Sequence, residues 1–209
     1  MKRFIARGLL LTLGFSMLGA CSTTSSTAPS TTSRPVSLST DGALAQWPLL
    51  SPSMWAQDIS VQQLLTIQAG GQQHQMQAVL DISNQAVHLV ILKFGRRLVT
   101  IEHTDTGTRV DKEAYVPDFI DARQVLQDMQ LVYAPLATIQ ATLPEQCRVT
   151  AASLTGDEGD EAGERRAIQC ANQMVYQIDT RMVNGLASTR LNNVRVPYTI
   201  QIDTMQVQP

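Results

Sequence analysis

The chain has 209 residues, with 16 Lys+Arg against 18 Asp+Glu and 44% apolar side chains. The first 20 residues hold Lys2, Arg3 and Arg7 and no acidic residue, so the remainder carries 13 basic against 18 acidic side chains, a net of −5. A mildly acidic, unclustered balance argues against nucleic acid, which needs a basic stripe, and against electrostatic membrane binding. Without that first segment the chain suffices for one sizeable domain but hardly two.

The elements begin with a targeting segment. Lys2, Arg3 and Arg7 form a basic start, and Gly8 to Ala20 is almost wholly apolar or small, a run of 13 residues. That length suits a signal-peptide core and is too short to span a bilayer as a helix. The run closes on Leu18-Gly19-Ala20-Cys21, which resembles a bacterial lipobox. The resemblance implies cleavage before Cys21 and a lipid on it, the attachment that two or three acyl chains make permanent. Ser22 follows, where an Asp is the usual inner-membrane retention signal. Residues 1–20 are therefore read as a signal peptide, and the expected address is the periplasmic face of the outer membrane. No later segment approaches 18 consecutive apolar residues, so no membrane-spanning helix is expected.

From Ser22 to Thr40, 13 of 19 residues are Ser or Thr. Such a stretch buries too little apolar surface to offset its ordering entropy, which makes residues 21–45 a tether. The folded domain is expected over 46–209, beginning near Trp47-Pro48-Leu49-Leu50.

There the period becomes two. Ile59, Val61, Leu65 and Ile67 share a face that Gln63 interrupts, and Met76, Ala78, Leu80 and Ile82 alternate with Gln75, Gln77 and Asp81. Strands over Ala86–Phe94 and Leu98–His103 flank a Gly95-Arg96 turn, and Asp105-Thr106-Gly107 starts another. Between Pro117 and Pro144 the period turns helical: Ala122, Val125, Leu126, Met129 and Val132 form a stripe with Asp118 or Asp121 as cap. Pro135 ends that helix and opens a second over Leu136–Thr142. Strands resume with Cys147–Leu154, an acidic loop over Gly156–Gly163, then Arg166–Asp179, Thr189–Val194 and Tyr198–Met205. Strands, a helical insert and strands indicate an α+β fold: a curved antiparallel sheet, unclosed as a half-barrel, with a two-helix insert as lid.

Chemistry-bearing motifs are sparse. There is no Gly-x-Ser-x-Gly elbow, phosphate-cradling glycine loop or His-Glu-x-x-His, and the acidic run Asp157–Glu161 lacks calcium-loop spacing. His74, His88 and His103 fall in separate strands, at positions read as exposed or strand-edge. Neither a catalytic centre nor a cofactor or metal is expected. Cys147 and Cys170, an even pair in an oxidising compartment, are read as a disulfide across the acidic hairpin.

Three stretches carry a family resemblance: Phe94-Gly95-Arg96-Arg97-Leu98-Val99-Thr100, Val125-Leu126-Gln127-Asp128-Met129-Gln130-Leu131-Val132-Tyr133-Ala134-Pro135 with Leu143-Pro144, and Asn192 to Ile200. Together they resemble an uncharacterised family of proteobacterial outer-membrane lipoproteins found with aryl polyene biosynthesis genes. Pro197 departs from its usual small residue before the tyrosine, and Ala134 from its frequent Trp. The resemblance implies a fold similar to the lipoprotein carriers LolA and LolB. It implies in turn a lipid-binding protein that takes acyl or polyene chains from a soluble LolA-type carrier and releases them to the membrane.

The cavity floor is expected on Val90, Leu92 and Phe94 of one strand and Tyr198, Ile200 and Ile202 of another, with Val125 and Met129 as a lid able to shift. Phe94, at a turn, has the alternative of projecting outward as a membrane-touching tip. The competing function is a structural or assembly lipoprotein that holds no lipid and binds a protein partner.

Overall fold

The computed structural model describes residues 47–55, 58–114, 116, 121–155 and 162–207. The signal segment, Cys21, the tether and the acidic tip 156–161 lie outside the described residues.

Ten strands form one antiparallel sheet in the order β5-β4-β3-β2-β1-β10-β9-β8-β7-β6. Strands β1 (Ile59–Ala69), β2 (Gln72–Ile82), β3 (Ala86–Lys93), β4 (Arg96–Thr104) and β5 (Gly107–Lys112) step outward from the middle to one edge. Helices α1 (Ala122–Tyr133) and α2 (Leu136–Thr142) follow. Then β6 (Cys147–Leu154) starts the other edge, and β7 (Gly163–Cys170), β8 (Gln173–Val183), β9 (Leu186–Asn193) and β10 (Tyr198–Val207) step back to pair with β1. The sheet is curved and unclosed, with β5 and β6 as its edges, the α+β architecture expected from the switch of period.

Several hairpins turn through two residues that both have positive φ, which matches the right-handed twist of the flanking strands. Gly70-Gly71 (φ 56° and 76°) joins β1 to β2 and Asn184-Gly185 (53° and 76°) joins β8 to β9. The β3–β4 turn is Phe94-Gly95, one residue earlier than expected. One strand reading needs correction: Arg166–Asp179 is two strands, split at Ala171-Asn172 with φ of 49° and 63°. No glycine or proline announces that turn, so its side chains read as a continuous strand. Gly163 also belongs to β7 rather than to the loop before it. A Cβ there would meet the carbonyl oxygen of Thr180 at 2.4 Å, so β7 and β8 approach too closely for any other residue.

The Cys147–Cys170 disulfide is present, and the two residues are direct partners in the β6–β7 register.

The inner face of the sheet and the helices share one core, in which Leu80, Val87, Ile101, Leu126, Leu131, Ile139, Ile168 and Leu191 are fully buried. Asp121 caps α1 by accepting from the Gln124 amide at 2.8 Å. At its other end Arg166 of β7 donates through Nη1 to the carbonyls of Leu131, Val132 and Ala134. A cation there satisfies orphan carbonyls and complements the negative end of the helix dipole.

Residues 47–50 form a strap across α1. Arg123 and Gln127 both donate to the Trp47 carbonyl, at 2.7 and 3.1 Å. Gln130 accepts from the Leu50 amide at 2.7 Å and donates to the Pro48 carbonyl at 3.3 Å. Trp47 and Leu50 are themselves buried. The expectation of a lid with few contacts, free to shift, is therefore corrected: α1 is tied on one side by the strap and at its end by Arg166.

His103 is corrected too. It is buried rather than exposed, with Nε2 at 3.0 Å from the Leu50 carbonyl and Nδ1 at 2.9 Å from the Thr108 hydroxyl. A carbonyl only accepts, so Nε2 carries the proton and the ring serves as a bridge between strap and sheet.

Candidate functional site

Between α1 and the inner face of the sheet lies a cavity of about 530 Å³. Its floor comes from alternate positions on four adjacent strands: Leu65 and Ile67 of β1, Met76, Ala78 and Leu80 of β2, Leu89 and Ile91 of β3, and Ile200 and Ile202 of β10. The register fixes these as neighbours, with Leu89 opposite Leu80, Ile91 opposite Ala78, Met76 opposite Leu65, and Ile67 opposite Ile200. The roof is the stripe Val125, Met129 and Val132 of α1. Gly70, Val196 and Pro197 also line the cavity, and the last two are exposed, so the space reaches solvent beside the β1–β2 and β9–β10 turns.

Of the residues expected there, Val125, Met129, Tyr198, Ile200 and Ile202 all line it. Val90, Leu92 and Phe94 do not. Strand β3 points Val87, Leu89 and Ile91 inward, so Val90 and Leu92 take the outer face. Because β3 is apolar on both faces, alternation alone left its orientation open. His88, exposed and of the same parity as Val90 and Leu92, was the one available marker. Phe94 is 93% exposed at the tip of the β3–β4 hairpin, with the Lys93 ammonium 5.7 Å from its ring centre.

One end of the cavity is polar. Asp128 of α1 is buried, its two oxygens accepting from Gln124 Nε2 at 3.0 Å and from the Tyr198 hydroxyl at 2.6 Å. The Tyr176 hydroxyl accepts from Gln124 Nε2 at 2.8 Å and from Asn193 Nδ2 at 2.9 Å. Asn193 Oδ1 in turn accepts from the amides of Arg195 and Val196, both at 3.0 Å, which fixes the β9–β10 turn at the cavity's opening. Burial lifts the Asp128 carboxyl from its ordinary 3.8 to about 7, although Tyr198, Gln124 and Tyr176 all stabilise its ionised form. Burial, with the charge of Asp128 second, pushes the Tyr198 and Tyr176 hydroxyls upward, so both stay protonated as donors. Elsewhere along the wall, Gln63 donates to the Tyr133 hydroxyl at 2.5 Å.

Sequence reasoning missed Asp128. Its signal was present: it lies three residues after Val125 and four before Val132, a carboxylate set within the apolar stripe of a helix.

Residues 60–206 match the family model described as "Protein of unknown function (DUF3261)". The chain belongs to the DUF3261 family. No curated protein matches it. Among solved structures, the crystal structure of a DUF1329 family protein from Desulfovibrio piger is similar at 11% identity with a TM-score of 0.34, covering 73% of this chain and 85% of that one. So distant a likeness has no bearing on the function of this DUF3261 protein. Among the described residues no helix is long and apolar enough to cross a membrane.

Proposed function

We propose that this DUF3261 protein is a non-enzymatic outer-membrane lipoprotein that holds acyl or polyene chains in the α1–sheet cavity and passes them to the membrane. The observation that carries this reading is the cavity itself. Its volume of about 530 Å³ falls within the range of about 300–1,000 Å³ typical of small-molecule sites. Its walls are overwhelmingly aliphatic, and each methylene moved there from water contributes about 0.8 kcal/mol. Burial of this kind supplies affinity without direction, so transfer requires an acceptor that fits the chain better than the donor does.

The rest of the chain supports that role. A lipid on Cys21 and a tether running to residue 45 would keep the domain within about 80 Å of the bilayer surface, at about 3.3 Å per extended residue. The exposed Phe94, a bulky residue held at φ 53° beside Lys93, suits an amphipathic contact with an anionic headgroup layer. Since α1 is tied down, the route in is the opening at Gly70, Val196 and Pro197 rather than a lifting lid. A LolA-type carrier is the natural donor in this scheme.

The competing reading, a scaffold without lipid, has its sites on the exposed edge strands β5 and β6, each of which pairs with one strand only among the described residues and could take a partner's strand. Uptake of a fluorescent acyl probe separates the two. Ile200→Glu, on the cavity floor, abolishes uptake under the lipid reading, whereas Val90→Glu on the outer face leaves it intact. Equal uptake by both variants and the parent contradicts the lipid reading.

A further inference from the structure

The polar end of the cavity has a sign. Two carboxylates, Asp121 and Asp128, line it, and among the described residues no Lys, Arg or His does. The positive end of α1 offers no compensating anion site, because Asp121 already occupies it as the N-cap. Arg195 acts electrostatically on Tyr176 from the β9–β10 turn but does not line the space. Asp128 also keeps accepting capacity. A carboxylate offers about four lone-pair positions; Gln124 and Tyr198 take two, and Tyr176 acts on a third.

We infer that the cavity selects chains whose heads are uncharged or cationic hydrogen-bond donors, and rejects free fatty-acid carboxylates and phosphate heads, with Asp128 as the discriminating residue. This rests on the reading that the cavity holds a lipid chain, and it narrows the ligand class. An aliphatic tail lies along Leu65, Leu80, Leu89 and Ile202, and a hydroxyl, amide or ammonium donates to Asp128 beside Tyr198. An anionic head in the same position meets a carboxylate that burial already disfavours, with no cation lining the space to offset either charge. A chain attached through an amide, whose carboxylate has been consumed in the linkage and whose N–H can donate, fits this requirement. A free fatty acid does not.

The test uses the protein from residue 37 onward, a compact unit that carries the whole described core. Lauryl alcohol, laurylamine and laurate share one tail and differ in head. Each competes, below its micellar concentration and near pH 8, for displacement of the neutral dye N-phenylnaphthylamine. The alcohol and the amine displace the dye, and laurate does so at least about tenfold more weakly, a free-energy gap of about 1.4 kcal/mol. Asp128→Asn closes most of that gap, because laurate no longer meets a carboxylate and the alcohol loses a charged acceptor. Tyr198→Phe, which removes one partner and keeps the charge, preserves the order of the three ligands. Circular dichroism and thermal melts of each variant establish that it is folded.

Equal binding of all three ligands, a preference for laurate, or a gap that survives Asp128→Asn overturns the inference and leaves lipid binding standing. Failure of the parent protein to bind the dye or any of the three overturns lipid binding itself.

Discussion

The Tyr198 hydroxyl on β10 donates to Asp128 on α1 at 2.6 Å, joining the last strand of the sheet to the helix 70 residues earlier. The bond stabilises a buried carboxylate that its surroundings otherwise disfavour. Around Asp128 stand Gln124 and Asp121 of its own helix, Tyr198 of β10 and Tyr176 of β8, with Arg195 acting on Tyr176 from the adjoining turn.

A pH dependence follows from burial lifting Asp128 from 3.8 to about 7. Between those values the folded state keeps a proton that the unfolded chain has released. The contribution of this group therefore favours folding most below about pH 4 and declines as pH rises towards 7, on the order of 4 kcal/mol in total. Denaturant titrations should show Asp128→Asn gaining stability relative to the parent as pH rises from 5 to 8. A constant difference across that range contradicts the assignment.

Arg166 presents a second test. Its Nη1 serves the carbonyls of Leu131, Val132 and Ala134, while its Nε lies 2.5 Å from Glu164. Removing it strands helix-end acceptors, so Arg166→Ala should cost about 1–3 kcal/mol in urea titration with the slope unchanged. Loss below a few tenths would mean water replaces the guanidinium without penalty.

For the cysteines the expectation is that alkylation of the unreduced, denatured domain finds neither Cys147 nor Cys170 free. The bond closes a loop with a sequence separation of 23, so the Cys147→Ala, Cys170→Ala double variant should lose about 3 kcal/mol.

At the tip, Phe94→Glu should leave the fold and ligand uptake unchanged, because the side chain is 93% exposed. Delivery to vesicles containing anionic lipid should fall several-fold. Leu92→Glu, on the outer face, should alter neither step. If Phe94→Glu delivers as well as the parent, the tip has no part in transfer.

The sequence made the periods of two and 3.6 legible, and with them the helices, most strands and the unclosed sheet. It was silent where a turn lacked glycine, as at Ala171-Asn172, and where both strand faces were apolar, as on β3. Register settles such a strand, and register comes from partners far along the chain: Leu89 faces inward because it pairs with Leu80. The tethering of α1 was hidden for a similar reason. Gln127 and Gln130 look like the solvated side of an amphipathic helix, yet they satisfy the backbone of residues some 80 positions earlier. Asp128, by contrast, was legible as a carboxylate in an apolar stripe.

A lipid chain held in the cavity adds a mass that can be weighed. Native mass spectrometry of the protein from residue 37 onward, exported to the periplasm of a bacterial host behind a cleavable signal and purified without detergent, weighs any bound chain. The account predicts a population carrying an added mass in the range of a single lipid, lost on collisional activation and absent from Ile200→Glu. A single apo mass that stays unchanged after incubation with lauryl alcohol would contradict it.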